Sequence, residues 1–342
     1  MKSLKIIFSI LIIAVIAFSC DKEIMGVSEA STLKSEDLAR TLTQEDADGD
    51  GCSDDQDSHP NSNTNPTINL DGCDINIQNS LVDCGTTMMD QIADAIEMIA
   101  LENMGSDANV LRKKFTRELS KLSYYWYKAR LITSRERSAL SNCGWSADFE
   151  NLMLQNISVD VLRHLDFSLQ EILNTGRPMI DFISKGVMAE DLYGKQYQGG
   201  LIFYVNEREA SGLLAAPYNQ QGAKWGCIGV DLPGALGTEI GTGAQNTIDI
   251  LASCNETGTA AYICANLSID GYNDWFLPSI DEVTEMRNNL HLNGYGNFSY
   301  GWYRSSSEFD SVSAWYQYMD SPSRYHQNSK NSNGSLRAVR AF

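Results

Sequence analysis

Gly271-Tyr272-Asn273-Asp274-Trp275-Phe276-Leu277-Pro278-Ser279 decides the fold class of the C-terminal part of this 342-residue chain. Gly271 and Asn273-Asp274 are turn formers, and Trp275-Phe276-Leu277 is a short apolar run that reads as a buried strand. Pro278 fixes φ and stops that strand. Ser279 is placed to N-cap a helix, and Glu282 three residues on completes a capping box. The helix is expected to run from Ile280 or Asp281 to about Asn289, with Val283 and Met286 on one face.

Working outward, Gly199 to Val205 and Gly212 to Pro217 read as two β-runs across a polar turn. Trp225-Gly226-Cys227 and a glycine-rich loop from Gly234 to Gly243 follow. Helices are expected from near Asn246, carrying Ile248, Ile250 and Leu251, and again around Ala260 to Cys264. After Trp302 to Glu308, the runs Ala314–Tyr318 and Leu336–Phe342 alternate in period two and are predicted strands. Helices set among short strands make residues 191–342 an α+β domain.

Six pieces in one order resemble the C-terminal domain family named after the bacterial collagen-like adhesin Lcl. They are Gly199-Gly200-Leu201-Ile202-Phe203-Tyr204, Trp225-Gly226-Cys227, Gly241-Thr242-Gly243, Gly271 to Ser279, Arg304 to Glu308, and Val339-Arg340-Ala341-Phe342. The resemblance covers roughly Tyr193 to Phe342, and the collagen-like region is absent here. It implies a C-type-lectin-like fold whose first and last strands pair. It also implies an adhesive or glycan-binding role, with affinity for sulfated polysaccharides in at least one member. The lectin-type Glu-Pro-Asn motif is missing, so sugar binding is not expected to run through a bridging calcium.

Residues 1–19 read as an export signal, with Lys2 and Lys5 before an apolar run from Ile6 to Phe18 that is short for a membrane span. Ala17-Phe18-Ser19-Cys20 has the form of a bacterial lipobox, which predicts cleavage before Cys20 and lipid attachment to it. Burial at ~0.8 kcal/mol per methylene makes several acyl chains a lasting membrane anchor. Asp21-Lys22-Glu23 is compatible with display on a Gram-negative cell, as a surface-exposed outer membrane lipoprotein. Residues 20–44 read as a flexible tether.

Asp46 to Pro60 carries the sharpest chemical pattern. Asp46, Asp48, Asp50, Asp54 and Asp57 fall at positions 1, 3, 5, 9 and 12 of a calcium loop, with Gly51 at position 6 and the Cys52 carbonyl at position 7. A hard cation takes six to eight oxygens, and Gly51 permits the sharp turn. Asp57 replaces the usual Glu, and no apolar helix flanks the loop, so it is not a standard EF-hand. The pattern is similar to a thrombospondin type 3 repeat, with a degenerate second copy at Asn69 to Asn76. Residues 45–84 are thus expected to form a loop-rich spacer stiffened by calcium.

Residues 85–190 read as an all-α segment. Met88, Ile92, Ala95, Ile96 and Ile99 recur at helical spacing up to Gly105, and a second helix carries Leu111, Phe115, Leu119, Leu122 and Trp126. Further helices are expected around Phe149 to Gln155 and Val159 to Leu173. Tyr124-Tyr125-Trp126-Tyr127, beside basic residues, reads as core and rim of a small bundle.

A net charge of −18 and a pI near 4.6 argue against nucleic acid as a partner. Of eight cysteines, seven remain after Cys20; Cys52 with Cys73 is the first expected disulfide, and another is expected within Cys227, Cys254 and Cys264. Formylglycine-generating enzymes share the lectin-like fold but depend on a late cysteine pair, and here no cysteine follows Cys264. Ser305-Ser306-Ser307 lacks a nucleophile elbow. Asp281 and Glu282 suit a helix N-terminus better than glycosidase chemistry, and His291 and His326 read as exposed loop histidines. A non-catalytic binder is expected, with a structural or protein-interaction scaffold as the alternative. Its ligand surface is placed in the polar region from Gly294 to Ser335, at Tyr303, Arg304, Arg324, Tyr325 and Lys330. There aromatic faces could stack on sugar rings and cations could pair with the sulfates of an anionic polysaccharide, or the surface could take a protein. Trp302, Trp315 and Tyr316 are expected to be mostly core.

Overall fold

A computed structural model describes residues 46–342. The export signal, Cys20 and the tether lie outside the described residues. The acidic loop leads into two hairpins, β1 (Thr67–Leu70) with β2 (Cys73–Gln78) and β3 (Leu81–Asp83) with β4 (Thr86–Thr87). Helices α1 (Met88–Glu102), α2 (Ala108–Lys128), α3 (Ser134–Ser146), α4 (Phe149–Asn156), α5 (Val159–His164), α6 (Leu169–Leu173), α7 (Ile180–Ile183) and α8 (Ala189–Leu192) follow.

The apolar stripes anticipated for α1 and α2 are buried: Met88, Ile92, Ile96 and Ile99 on one, and Leu111, Phe115, Leu119 and Trp126 on the other. Tyr124, Tyr125 and Tyr127 are exposed around the buried Trp126, as a core-and-rim reading requires. Helix α3 was not anticipated; it lies against α2, with Gly144 so close to Leu119 that a Cβ there would collide with it. The stretch 159–173 is two helices rather than one. Asp166 turns the chain in the left-handed region (φ 67°), and Ser168 with Glu171 forms a capping box that opens α6.

Ile68, Leu70 and Ile77 of the first hairpin share one core with α1, α2, α4 and α8, and that core continues through Tyr197, Ile202 and Leu214. The segment expected as a spacer is therefore packed against the helices from its first hairpin onward. Cys52 is bonded to Cys84 and not to Cys73, which instead reaches Cys143 on α3. The reason is topological. The first hairpin carries Cys73 to the helices, while the second hairpin brings Cys84 back to the acidic loop. Cys227 is bonded to Cys254, and Cys264 is a buried free thiol.

The C-terminal part contains β5 (Gln196–Tyr197), β6 (Gly200–Asn206), β7 (Ser211–Ala215), β8 (Gln220–Ala223), α9 (Gly243–Ser253), α10 (Ala260–Ala265) and α11 (Ile280–Asn289). It closes with β9 (Trp302–Glu308), β10 (Ser313–Tyr318), β11 (Arg324–Ser329), β12 (Gly334–Leu336) and β13 (Val339–Ala341). One sheet has the order β13-β7-β6-β5 and the other β11-β10-β9-β12-β8; pairing is antiparallel except between β12 and β9. The chain is α+β, and among the described residues no helix is long and apolar enough to cross a membrane.

Trp275, Phe276 and Leu277 are buried, and Phe276 exchanges both backbone hydrogen bonds with Val339 (2.8 and 3.0 Å). Ser279 Oγ accepts the Glu282 N–H (3.3 Å) and the Glu282 carboxylate accepts the Ser279 N–H (2.8 Å), so the capping box forms as expected. The same carboxylate also accepts the N–H groups of Gly241 (2.8 Å) and Gly243 (3.4 Å). One side chain thus holds the glycine-rich loop against two helix starts. Gly243 must be glycine, because a Cβ would overlap that carboxylate. Burial raises the pKa of Glu282 even against these donors. Glu282→Ala would strand the buried N–H groups of Ser279 and Gly243, each costing about 1–3 kcal/mol, and release that of Gly241 to water. The expected loss is at least about 2 kcal/mol in urea unfolding, and an unchanged midpoint would refute this role.

Candidate functional site

The acidic loop is organised by its own carboxylates. Asp46 accepts the N–H groups of Gly49 (2.8 Å) and Gly51 (3.2 Å), Asp48 those of Asp50 (3.1 Å) and Ser62 (2.6 Å), and Asp50 that of Cys52 (2.8 Å). Gly51 sits at φ 96°, where only glycine is unstrained. Ligand oxygens of Asp46, Asp48 and Asp50 lie within 4.8 Å of one another. Asp54 and Asp57 stand outside that trio: Asp54 accepts the Ala47 N–H (2.9 Å) and Asp57 the His59 N–H (2.6 Å). The second oxygens of Asp50 and Asp57 are buried without a hydrogen-bond partner. Asp57 also lies so close to Gly85 that a Cβ there would overlap it. Clustered carboxylates repel, and buried acceptors without donors are costly. A hard divalent cation among Asp46, Asp48 and Asp50 would offset their repulsion and take up the spare Asp50 oxygen, and an all-oxygen donor set is the kind calcium takes.

The five residues predicted to face a ligand divide into two groups. Tyr303, Arg304 and Lys330 are fully buried. The region from Gly294 to Ser335 carries the strands β9, β10 and β11 as well as loops, and these three side chains point into the structure. The Lys330 ammonium pairs with Glu308, donates to the Val230 carbonyl (2.8 Å) and lies 4.5 Å from the centre of the Trp225 ring. Glu308 also accepts the Leu232 N–H (2.8 and 3.0 Å). Arg304 donates to the carbonyls of Ser329 (2.9 Å) and Ser332 and lies over the Trp302 ring. Its Nε and Nη1 have no partner, and burial lowers its pKa to about 10. The Tyr303 hydroxyl donates to Asn219 Oδ1 (3.0 Å) and accepts the Ser299 N–H (2.9 Å).

Arg324 and Tyr325 are on the surface, at the start of edge strand β11. Arg324 is paired with Asp281. Tyr325 stacks on Tyr316 (5.6 Å between centroids, 23° between planes) and meets Tyr318 edge-on at 5.5 Å. Tyr316 in turn meets Trp302 at 5.3 Å. Trp302, Tyr316, Tyr318 and Tyr325 thus form an aromatic ladder across β9, β10 and β11, with Tyr318 and Tyr325 exposed. Tyr318 was not among the predicted ligand residues; the period-two alternation of Ala314–Tyr318, which puts it on the face of Tyr316, was the available signal. The two histidines read as free loop residues are partnered. His326 stacks on Phe309 at 3.8 Å, and His291 lies 3.7 Å from Asp320 and edge-on to Phe298.

No family model matches this chain, and no curated protein matches it.

Removing one partner of a buried ion pair leaves the other charge uncompensated, which costs about 3–5 kcal/mol. Lys330→Ala is expected to destabilise the fold by that amount in chemical unfolding, and Lys330→Met combined with Glu308→Leu to recover only part of it, because the Leu232 N–H then loses its acceptor. A Lys330→Ala protein of unchanged stability would refute this structural role of the pair.

Proposed function

We propose that this chain is a non-catalytic cell-surface lipoprotein that binds glycans, with a calcium-stabilised N-terminal loop and a C-terminal domain of the Lcl, C-type-lectin-like kind. The observation that carries the reading is the aromatic ladder of Trp302, Tyr316, Tyr318 and Tyr325. Tyr318 and Tyr325, backed by the buried Tyr316 and the half-buried Trp302, offer exposed apolar ring surface to a pyranose, and Arg324 with Asp281 supplies polar groups beside them. Of the basic residues first assigned to the surface, Arg304 and Lys330 are internal and Arg324 is already paired. That composition favours uncharged sugar faces over the sulfated polysaccharide the family resemblance implies. Calcium would be held by Asp46, Asp48 and Asp50, with Asp54, Asp57 and the Cys52 carbonyl completing the shell, and would act structurally. The lipid on Cys20 would tie the protein to the outer membrane.

A second reading, a protein-interaction scaffold, draws on β11. It is an edge strand whose outer side pairs with no strand among the described residues, a place where a partner segment could add.

A glycan array probed with the chain from Asp46 onward tests the first reading. Binding to neutral glycans is expected, weakened about three- to tenfold by Tyr325→Ala, since one aromatic contact is worth about 0.5–1.5 kcal/mol. Preference for sulfated glycans with steep salt dependence would restore the anionic assignment. A blank array from folded protein would move the assignment to the scaffold. For calcium, a Kd of about 10⁻⁴ M gives about 2.7 kcal/mol of stabilisation at ~10 mM, reversed by chelator. No shift in the melting temperature would remove calcium from the proposal.

A further inference from the structure

A cavity of about 450 Å³ opens where the end of α6, the turn into β6 and the loop before Trp275 meet. Asn174, Gln196, Gln198, Asp270 and Tyr272 line it, around the backbone of Gly199 and Gly200. The volume falls within the range of small-molecule sites, roughly 300–1,000 Å³. None of these side chains belongs to the acidic loop or to the aromatic ladder.

The wall holds spare hydrogen-bonding capacity in rigid positions. Asp270 and the Gln196 side-chain amide have no hydrogen-bond partner among the described residues. Asn174 accepts from Gln170 through Oδ1 (2.8 Å), which leaves its amide N–H₂ as a donor, while Gln198 accepts from Arg340 through Oε1 (3.1 Å) and also meets the Tyr197 hydroxyl. Tyr272 is held by the Arg340 guanidinium, 4.0 Å over its ring, and Arg340 is itself locked to Asp274 through two hydrogen bonds (2.8 and 3.1 Å). Gln198 and Asp270 both sit in the left-handed region, at φ 43° and 52°.

We infer that this cavity binds one unit of an uncharged sugar, a hexose or an N-acetylhexosamine. A carboxylate that accepts, amides that donate, and one ring are the set that matches vicinal hydroxyls on one side and a C–H face on the other. An anion is disfavoured because the nearby cation, Arg340, is already neutralised by Asp274 while Asp270 is not neutralised. An organic cation is disfavoured because one face of Tyr272 is already occupied by a guanidinium. This is a second site, and it stands whether or not the ladder binds glycans.

Saturation-transfer NMR on the full-length chain tests it, with glucose, galactose, mannose, N-acetylglucosamine and N-acetylgalactosamine as probes. At least one should give a saturable signal, weakened about tenfold or more by Asp270→Asn, as expected when a hydrogen bond to a charged group is lost. Gln196→Ala should weaken it as well, and Tyr325→Ala should leave it unchanged. Asp270 and Gln196 are exposed, so both variants are expected to fold; a melting curve checks each, and either one alone suffices. The inference is overturned if no probe saturates, if neither cavity variant changes the signal, or if Tyr325→Ala abolishes it.

Discussion

Lys330 and Glu308 are shut away from water together, and that pairing sets how much of the C-terminal architecture must be assembled. A buried ammonium or carboxylate by itself is too costly to keep ionised, so each must find its counter-charge and satisfy its remaining donors and acceptors from the chain around it. Here the partners come from far apart: the Val230 carbonyl, the Trp225 ring and the Leu232 N–H on one side, strand β9 and the end of β11 on the other. Arg304 and Arg337 repeat the device. Arg337 is fully buried, reaches Asn219, the Ala216 carbonyl and the Gly296 carbonyl, and covers Phe298, and burial lowers its pKa to about 10. Basic side chains act in this domain as internal cross-links between loops. The surface is thereby left with fewer cations in a chain that already carries a net charge of −18.

That use of cations explains the main failure of sequence reading at the candidate site. A lysine or arginine in an Asn- and Ser-rich stretch is ordinarily exposed, and nothing local distinguishes Lys330 from Arg324. The distinction lies in Glu308, Val230 and Trp225, long-range partners that pattern cannot supply. What depends on neighbours in sequence was legible. The Ser279–Glu282 capping box, the limits of α11, the stripes of α1 and α2 and the strands β6, β7 and β10 all follow from spacing and turn chemistry. Two further boxes, Thr133 with Glu136 and Ser168 with Glu171, carried the same signal for α3 and for the break before α6. Disulfide pairing failed for the reason the cations did: Cys73 is nearer to Cys52 in sequence, but the hairpins decide which sulfurs meet.

At the N-terminal end the clustering of carboxylates was legible in the sequence and the packing of the segment was not. The alternation of aspartates with glycine does converge three carboxylates, because each one also caps backbone N–H groups of its own loop. Yet Asp48 reaches Ser62, Asp57 sits on Gly85, and Cys52 is joined to Cys84 at the edge of the helical core. The loop is thus continuous with the packing of α1. An ion there would act on the stability of the helical segment as well as on the stiffness of the loop.

The last strand has a consequence of another kind. Val339 bridges to Phe276 and pairs with Ala215, Phe342 exchanges hydrogen bonds with Gly212, and Arg340 fastens Asp274 and Gln198. The 275–277 strand and the outer edge of β7 therefore stay unpaired until residues 339–342 dock between them. Contacts of such long sequence separation close slowly. The closing of this sheet by the 339–342 segment is therefore expected to be the slow step when the domain refolds.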